Sequence, residues 1–143
     1  RKQLQNAWKF YEPITLHDSS LSYNTHCVVA NELGDVKKSD RYFQQTARLD
    51  LEDEMENVFL GIHSANAGGA WQCVINGFCG MRMGENFLEF SPNLPGRYKG
   101  VEFHCFFRGN LFKIRCEKKK VAITLVRESD CPVAIKGNRI VAK

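Results

Sequence analysis

The sequence predicts a mixed α and β protein in two parts, a helical segment over residues 1–82 followed by a small antiparallel β-sandwich over residues 83–143. Three observations predict it. Apolar residues recur with a helical period up to Met83, and after Met83 the period becomes two. Turn signals such as Pro95-Gly96, Gly109-Asn110 and Gly137-Asn138 separate the later runs.

The elements follow in order. The segment Arg1 to Thr15 is ambiguous: Trp8, Phe10 and Tyr11 are expected to be buried, and Pro13 argues for extended chain there. Ser19 or Ser20 can cap a helix carrying Leu21, Thr25, Val28, Val29 and Leu33 on one face, and Gly34 supplies its left-handed stop. Asp35 caps the next helix, whose apolar positions include Val36, Phe43 and Ala47. A third helix carries Ala67, Ala70, Trp71, Val74, Ile75 and Phe78, with small residues that permit close helix contact. Phe87, Leu88 and Phe90 mark a short strand. Val101, Phe103, Cys105 and Phe107 alternate with Glu102, His104 and Phe106, and Gly109-Asn110 reads as a two-residue hairpin turn. Phe112, Ile114 and Cys116 form the return strand, Val121, Ile123 and Leu125 the next, and Val133–Ile135 and Arg139–Val141 flank Gly137-Asn138. Three helices with such apolar faces are too few to close a bundle alone, so the helical part reads as the tail of a larger helical domain.

Composition narrows the function class. The chain has 143 residues, 43% hydrophobic and 25% charged, with a net charge of +4, which fits a folded soluble domain. Lys118-Lys119-Lys120 reads as a solvated hairpin tip rather than a nucleic-acid patch, because no basic or aromatic stripe accompanies it. There is no apolar run long enough for a membrane span, and no visible signal peptide. The first residue is Arg1 rather than Met, which reads as a processed or truncated product. The six cysteines form no C-x-x-C pair; they read as buried, reduced thiols rather than disulfides or a zinc site.

Two stretches join anion-capable groups to the start of a helix: His17-Asp18-Ser19-Ser20-Leu21-Ser22, and Gly61-Ile62-His63-Ser64 leading into Gly68-Gly69-Ala70-Trp71. Helix N-termini present unpaired N–H groups and a partial positive charge, and so hold phosphate or another oxyanion. Alone, Ser19-Ser20 reads as an ordinary cap and His63 as a structural histidine. His26 and His104 read as structural or surface histidines, and Trp71 as core rather than a sugar platform. Glu12, Glu32 and Glu52-Asp53-Glu54 read as solvated. Asp50 lies beside the loop that leads to His63.

Several motifs in order carry a resemblance. Tyr11-Glu12-Pro13 with Thr15, the His17–Ser22 run, Tyr42-Phe43 with Ala47-Arg48-Leu49-Asp50-Leu51, Gly61-Ile62-His63, Gly68-Gly69-Ala70-Trp71, Gly77-Phe78-Cys79-Gly80-Met81-Arg82 and Leu88-Glu89-Phe90-Ser91-Pro92-Asn93-Leu94-Pro95 together resemble the C-terminal end of glycoside hydrolase family 65. That family includes maltose, kojibiose, nigerose and trehalose phosphorylases. The resemblance runs from about Tyr11 to about Arg115. It implies that the helical segment is the last helices of an alpha/alpha six-fold catalytic barrel and that the sandwich is jelly-roll-like. It implies cleavage of an α-glucosidic bond by phosphate with inversion, giving β-glucose 1-phosphate, with a carboxylic acid protonating the leaving oxygen.

By the same resemblance Ser19, Ser20 and His63 bind phosphate, with His17, Asp18 and Gly61 in support. The general acid lies upstream of this chain, so no catalytic carboxylate is expected in it. No cofactor or metal is implied, inorganic phosphate being a co-substrate. The implied partners are the disaccharide, phosphate, the rest of the barrel and a second subunit in a homodimer, with no nucleic acid and no membrane, in the cytoplasm. The loop Asn57-Val58-Phe59-Leu60 departs from the family, which usually carries polar or acidic residues just before Gly-Ile-His; this bears on sugar specificity. Two alternatives stand beside this reading: a non-catalytic carbohydrate-binding or structural module, and a piece of a trehalase-like hydrolase, which would need a carboxylate base to activate water.

Overall fold

The computed structural model describes all of residues 1–143, in two compact units, Arg1–Gly77 and Phe78–Lys143. The helical period of the first unit forms α1 (Lys2–Tyr11), α2 (Ser22–Leu33), α3 (Val36–Arg48) and α4 (Ser64–Gln72), with α4 continuing through a π-helical turn, Cys73–Phe78. The N-terminal segment is thus helical, not extended. Pro13 lies within the first two positions of a short 3-10 turn, Glu12–Ile14, where a missing N–H costs nothing. Trp8 is half-buried, 5.4 Å from the His26 ring and edge-on to Tyr42. Phe10 and Tyr11, expected inside, are 65% and 61% exposed.

Helices α2 and α3 are joined by Gly34, at φ 94°, and Asp35, whose carboxylate accepts the Lys38 N–H at 2.9 Å; both caps are as expected. The buried face of α2 is not. It consists of Asn24, Cys27, Ala30 and Asn31, while Leu21 and Thr25 are exposed. The two-residue connection forces α2 and α3 antiparallel, and small residues mark the line of closest approach. Ser39 Oγ donates to the Cys27 carbonyl at 2.9 Å there. Helix α3 likewise buries Ser39, Tyr42 and Thr46 rather than its expected apolar positions.

Helix α4 docks through Asn66, Gly69 and Cys73. Asn66 Nδ2 donates to the Thr46 carbonyl at 2.8 Å, and Asn24 Nδ2 donates to Gln72 Oε1 at 3.3 Å. Asn24 therefore faces Gly69 and Gln72, while Cys27 and Val28 face Gly77. Partner numbers rise together along both helices, so α2 and α4 run in the same direction. Their N-termini, and the C-terminus of antiparallel α3, share one end of the unit. Trp71, expected in the core, is 55% exposed, because α4 presents Asn66 and Gly69 inward instead.

The second unit has seven strands: β1 (Arg82–Met83), β2 (Phe87–Glu89), β3 (Val101–Phe107), β4 (Asn110–Glu117), β5 (Lys120–Arg127), β6 (Val133–Lys136) and β7 (Arg139–Ala142). They form two antiparallel sheets, β1-β2-β7-β6 and β3-β4-β5, packed as a sandwich. Alternation decides the faces. Phe112, Ile114 and Cys116 are buried between Lys113 and Arg115, and their register partners are Cys105, Phe103 and Val101 on one side and Leu125, Ile123 and Val121 on the other. Phe103 meets Phe90, which follows β2, at 6.2 Å. The β3–β4 turn is Arg108-Gly109, one residue earlier than expected, with Phe107 paired to Asn110. Both turn residues have positive φ, 50° and 75°, the pair of dihedrals that matches strand twist. Lys118-Lys119 form the tight turn between β4 and β5. All six cysteines are free; Cys27, Cys73, Cys79 and Cys116 are buried, and Cys131 is exposed rather than buried. No helix is long and apolar enough to cross a membrane.

Candidate functional site

The shared end of α2, α3 and α4 collects the polar residues singled out above. His63 is the residue that starts α4: its carbonyl accepts the N–H groups of Asn66 and Ala67 at 2.8 and 3.2 Å. Gly61, two residues earlier, has φ 124° and ψ 165°, a conformation that side chains strongly disfavour. A Cβ there would meet nothing within 4 Å, so within this chain the demand for glycine is conformational.

Asp50 follows the last turn of α3, anchored by the buried Leu49. Both its oxygens are used on His63. Oδ1 accepts from the ring Nδ1 at 2.5 Å, and Oδ2 accepts the His63 backbone N–H at 2.9 Å. Hydrogen bonding from the imidazole, above all, holds the Asp50 carboxyl below the usual carboxylate range; partial burial opposes it. An ionised carboxylate at Nδ1 requires a proton there, which leaves the other ring nitrogen, Nε2, facing away from Asp50. The loop between them is shaped by Asp53, whose Oδ1 accepts the N–H groups of Asn57 and Val58 at 2.9 and 3.0 Å. Asp53, expected to be merely solvated, is therefore a loop anchor.

His17 precedes α2 with φ 60°. Its Nδ1 lies 2.8 Å from Ser22 Oγ, and its ring stacks on Tyr23 at 4.6 Å. Burial, then the neighbouring His26, push its pKa below the ordinary imidazole value. His17 and Asp18 line a cavity of about 390 Å³ with Tyr23, Leu49, Glu54, Met55 and Asn57. Ser19, Ser20 and His63 do not line it. Neither serine caps α2: Leu21 occupies the cap position without a side-chain bond, and Ser19 Oγ instead accepts the Leu21 N–H at 3.3 Å inside a tight turn. His26 Nδ1 sits 2.9 Å from the Ser22 carbonyl, a local structural contact. Glu12, also expected to be solvated, accepts from Lys38 Nζ at 2.7 Å and from Tyr42 Oη at 2.9 Å. These two donors, Lys38 first, lower its pKa, and burial with the Glu12 partner raises Tyr42 to about 12.

No group of three or more His, Cys, Asp and Glu side chains is placed to hold a metal ion. The arrangement is suited to an anion. It offers an oriented imidazole edge at the positive end of a helix, with a second histidine and hydroxyl-bearing turn at the start of a parallel helix. Sequence reasoning singled out His63 and His17-Asp18. It left open the Asp50 pairing, which spans 13 residues and leaves no local signature.

Comparison with known proteins places the chain in a family. The glycosyl hydrolase family 65 central catalytic domain matches residues 1–72, and the family 65 C-terminal domain matches residues 81–142. The alpha,alpha-trehalose phosphorylase of Thermoanaerobacter brockii is 40% identical over 126 residues, covering 88% of this chain and 16% of that protein. The kojibiose phosphorylase of Halothermothrix orenii is 33% identical over 141 residues, covering 95% of this chain and 18% of that protein. A solved structure assigned to kojibiose phosphorylase from human microbiome superposes with a TM-score of 0.83 at 27% identity, over 99% of this chain and 22% of that one. The chain thus spans about a sixth to a fifth of the length of these relatives. It belongs to glycosyl hydrolase family 65, with residues 1–72 in the central catalytic domain and residues 81–142 in the C-terminal domain.

Proposed function

We propose that this chain supplies the phosphate-holding end of an inverting disaccharide phosphorylase, its helices being the last of an alpha/alpha six-fold barrel in a cytoplasmic enzyme. The observation that carries the reading is the Asp50-oriented His63 at the start of α4, at the end of the unit shared with the His17–Ser22 turn. The trehalose and kojibiose phosphorylases among the relatives support the same chemistry.

In this reading a phosphate oxygen forms the new bond to C1 of the glucosyl unit while the bond from C1 to the leaving oxygen breaks on the opposite face. A carboxylic acid outside residues 1–143 gives its proton to that oxygen, and the product is β-glucose 1-phosphate. His63 Nε2 donates to the phosphate and balances its charge. Ser19 and Ser20 contribute hydroxyl and backbone donors. His17 and Asp18 hold the serine turn, and Gly61 permits the approach of the chain to His63. Positioning the dianion in line with C1 is the main contribution such a site makes. No cofactor is required, phosphate being consumed as co-substrate. The working enzyme then needs the remaining barrel helices, the disaccharide and a homodimeric partner.

The test is turnover of α-linked glucose disaccharides by the full-length protein with and without phosphate, the product anomer being read by proton NMR. Phosphate-dependent β-glucose 1-phosphate supports the reading. Free glucose released without phosphate would assign a trehalase-like hydrolase, and no turnover at all a carbohydrate-binding or structural module. The purified 143-residue chain should form no β-glucose 1-phosphate from maltose and phosphate; a detectable yield would place the general acid within it.

A further inference from the structure

The His63 imidazole is the side chain on which the phosphate reading turns, and an imidazole is an ambiguous ligand. Its two nitrogens exchange roles with tautomer, and its ring rotates about two bonds. At the end of α3 that ambiguity is removed. Asp50 Oδ1 takes the ring Nδ1–H at 2.5 Å, and Asp50 Oδ2 takes the His63 backbone N–H at 2.9 Å. Two bonds from one carboxylate fix both the backbone and the ring of the same residue. The pair is neither deeply buried nor fully exposed, with side-chain exposures of 23% and 21%, so one edge of the ring remains accessible.

We propose that Asp50 is a positioning residue for phosphate: it keeps the proton on His63 Nδ1 and aims Nε2 at the anion. This rests on the phosphate reading of His63. The carboxylate does not touch phosphate, which it would repel. It acts from behind the ring: by accepting the Nδ1–H it fixes the plane of the imidazole, so that Nε2 is the nitrogen presented to the anion. The geometry is that of the orienting carboxylate behind a metal-ligating histidine, where its removal typically costs about tenfold to a hundredfold, and the same lever acts on a histidine that holds an anion.

The experiment uses the full-length enzyme in wild-type, H63N, D50N and doubly substituted D50N/H63N forms. Kinetics are measured against phosphate and, separately, against disaccharide, and the imidazole nitrogens are observed in enzyme labelled with nitrogen-15 histidine. The His63 signals are identified by their loss in H63N. Expected results are a wild-type His63 protonated at Nδ1, and in D50N a rise in KM for phosphate of about tenfold or more with KM for disaccharide within about twofold. H63N should show at least the same loss for phosphate, and D50N should add little to it, because Asp50 acts through His63.

The two readings fail separately. If H63N leaves the phosphate KM unchanged, the phosphate role of His63 falls, and this proposal with it. If H63N raises it while D50N does not, or if D50N raises both KM values equally, the positioning role alone falls. The wild-type spectrum decides even if D50N fails to fold: a His63 whose neutral form carries its proton on Nε2 overturns the proposal.

Discussion

Replacing Gly69 by alanine should separate the two neighbouring glycines of α4 by sign. A Cβ built at Gly69 falls 2.5 Å from Asn24 Nδ2, 2.8 Å from its Cγ and 3.0 Å from its Cβ. Ordinary carbon contacts lie at about 3.5–4.0 Å. Asn24 is 5% exposed, and its Nδ2 is held by Gln72, so the side chain has nowhere to turn. Its Cβ moves only with α2, so the two helices must part. Overpacking of this kind costs about 1–3 kcal/mol. Loss of the Asn24–Gln72 bond adds about 1 kcal/mol, and the helix preference for alanine over glycine returns about 0.5–1 kcal/mol.

The net expectation for G69A is a loss of about 1–3 kcal/mol. For a helical unit of this size each kcal/mol moves Tm by about 4–8 °C. Gly68 is the control. It is exposed, and a Cβ there meets nothing within 4 Å, so G68A should gain about 0.5–1 kcal/mol from helix preference alone. Urea unfolding of the 143-residue chain followed by circular dichroism reads both. If Asn24 is the obstacle, N24A combined with G69A should show coupling of about 1 kcal/mol or more. A G69A chain as stable as G68A would refute the close-packed α2–α4 contact on which the shared end of the helices depends.

Two further predictions test other parts of the molecule. Asn110 is fully buried, donating to the carbonyls of Cys131 and Arg108 at 2.9 and 3.1 Å and accepting the Ser129 N–H at 2.9 Å; N110A should cost about 3 kcal/mol at about 1 kcal/mol per bond, and a loss under about 1 kcal/mol by urea unfolding would show that these bonds do not hold the 128–131 segment. His17, whose folded pKa lies below its ordinary value of about 6.5, favours the fold when neutral, so its contribution is complete above that pH and is lost as the pH falls through the folded value; the stability of the wild-type chain relative to H17Q should drop between pH 7.5 and 5.5, and a difference that is flat or grows in acid would contradict the burial of its ring.

The strands were legible because alternation reports burial directly: Phe112, Ile114 and Cys116 are buried where the period of two places them. The sequence points to Gly109-Asn110 and not to the Arg108-Gly109 turn because Asn110 suits a turn as Gly109 does. Its side chain serves instead to tie three segments together, a role that depends on Cys131 and Ser129 far along the chain. The helices were legible in number beyond residue 20, and their caps at Gly34 and Asp35 were too, since capping is a local property. Their faces were not. The apolar stripe of α2 predicts a buried line through Leu21 and Thr25, yet both are exposed and the buried line runs through Asn24, Cys27 and Ala30.

That misreading is tied to how the site is built. An apolar seam tolerates a shift of one turn along its length, because one methyl group packs much like another. The contacts of α2, α3 and α4 are instead directional: Ser39 to the Cys27 carbonyl, Asn66 to the Thr46 carbonyl, Asn24 to Gln72. Each bond is satisfied at one register, and a slip would strand buried polar groups at a cost of about 1–3 kcal/mol apiece. The same register brings the end of α3 to the start of α4, where Asp50 must meet His63 within hydrogen-bond distance. Polar residues at these helix interfaces thus give up some apolar burial and in exchange fix the alignment that an oriented imidazole requires.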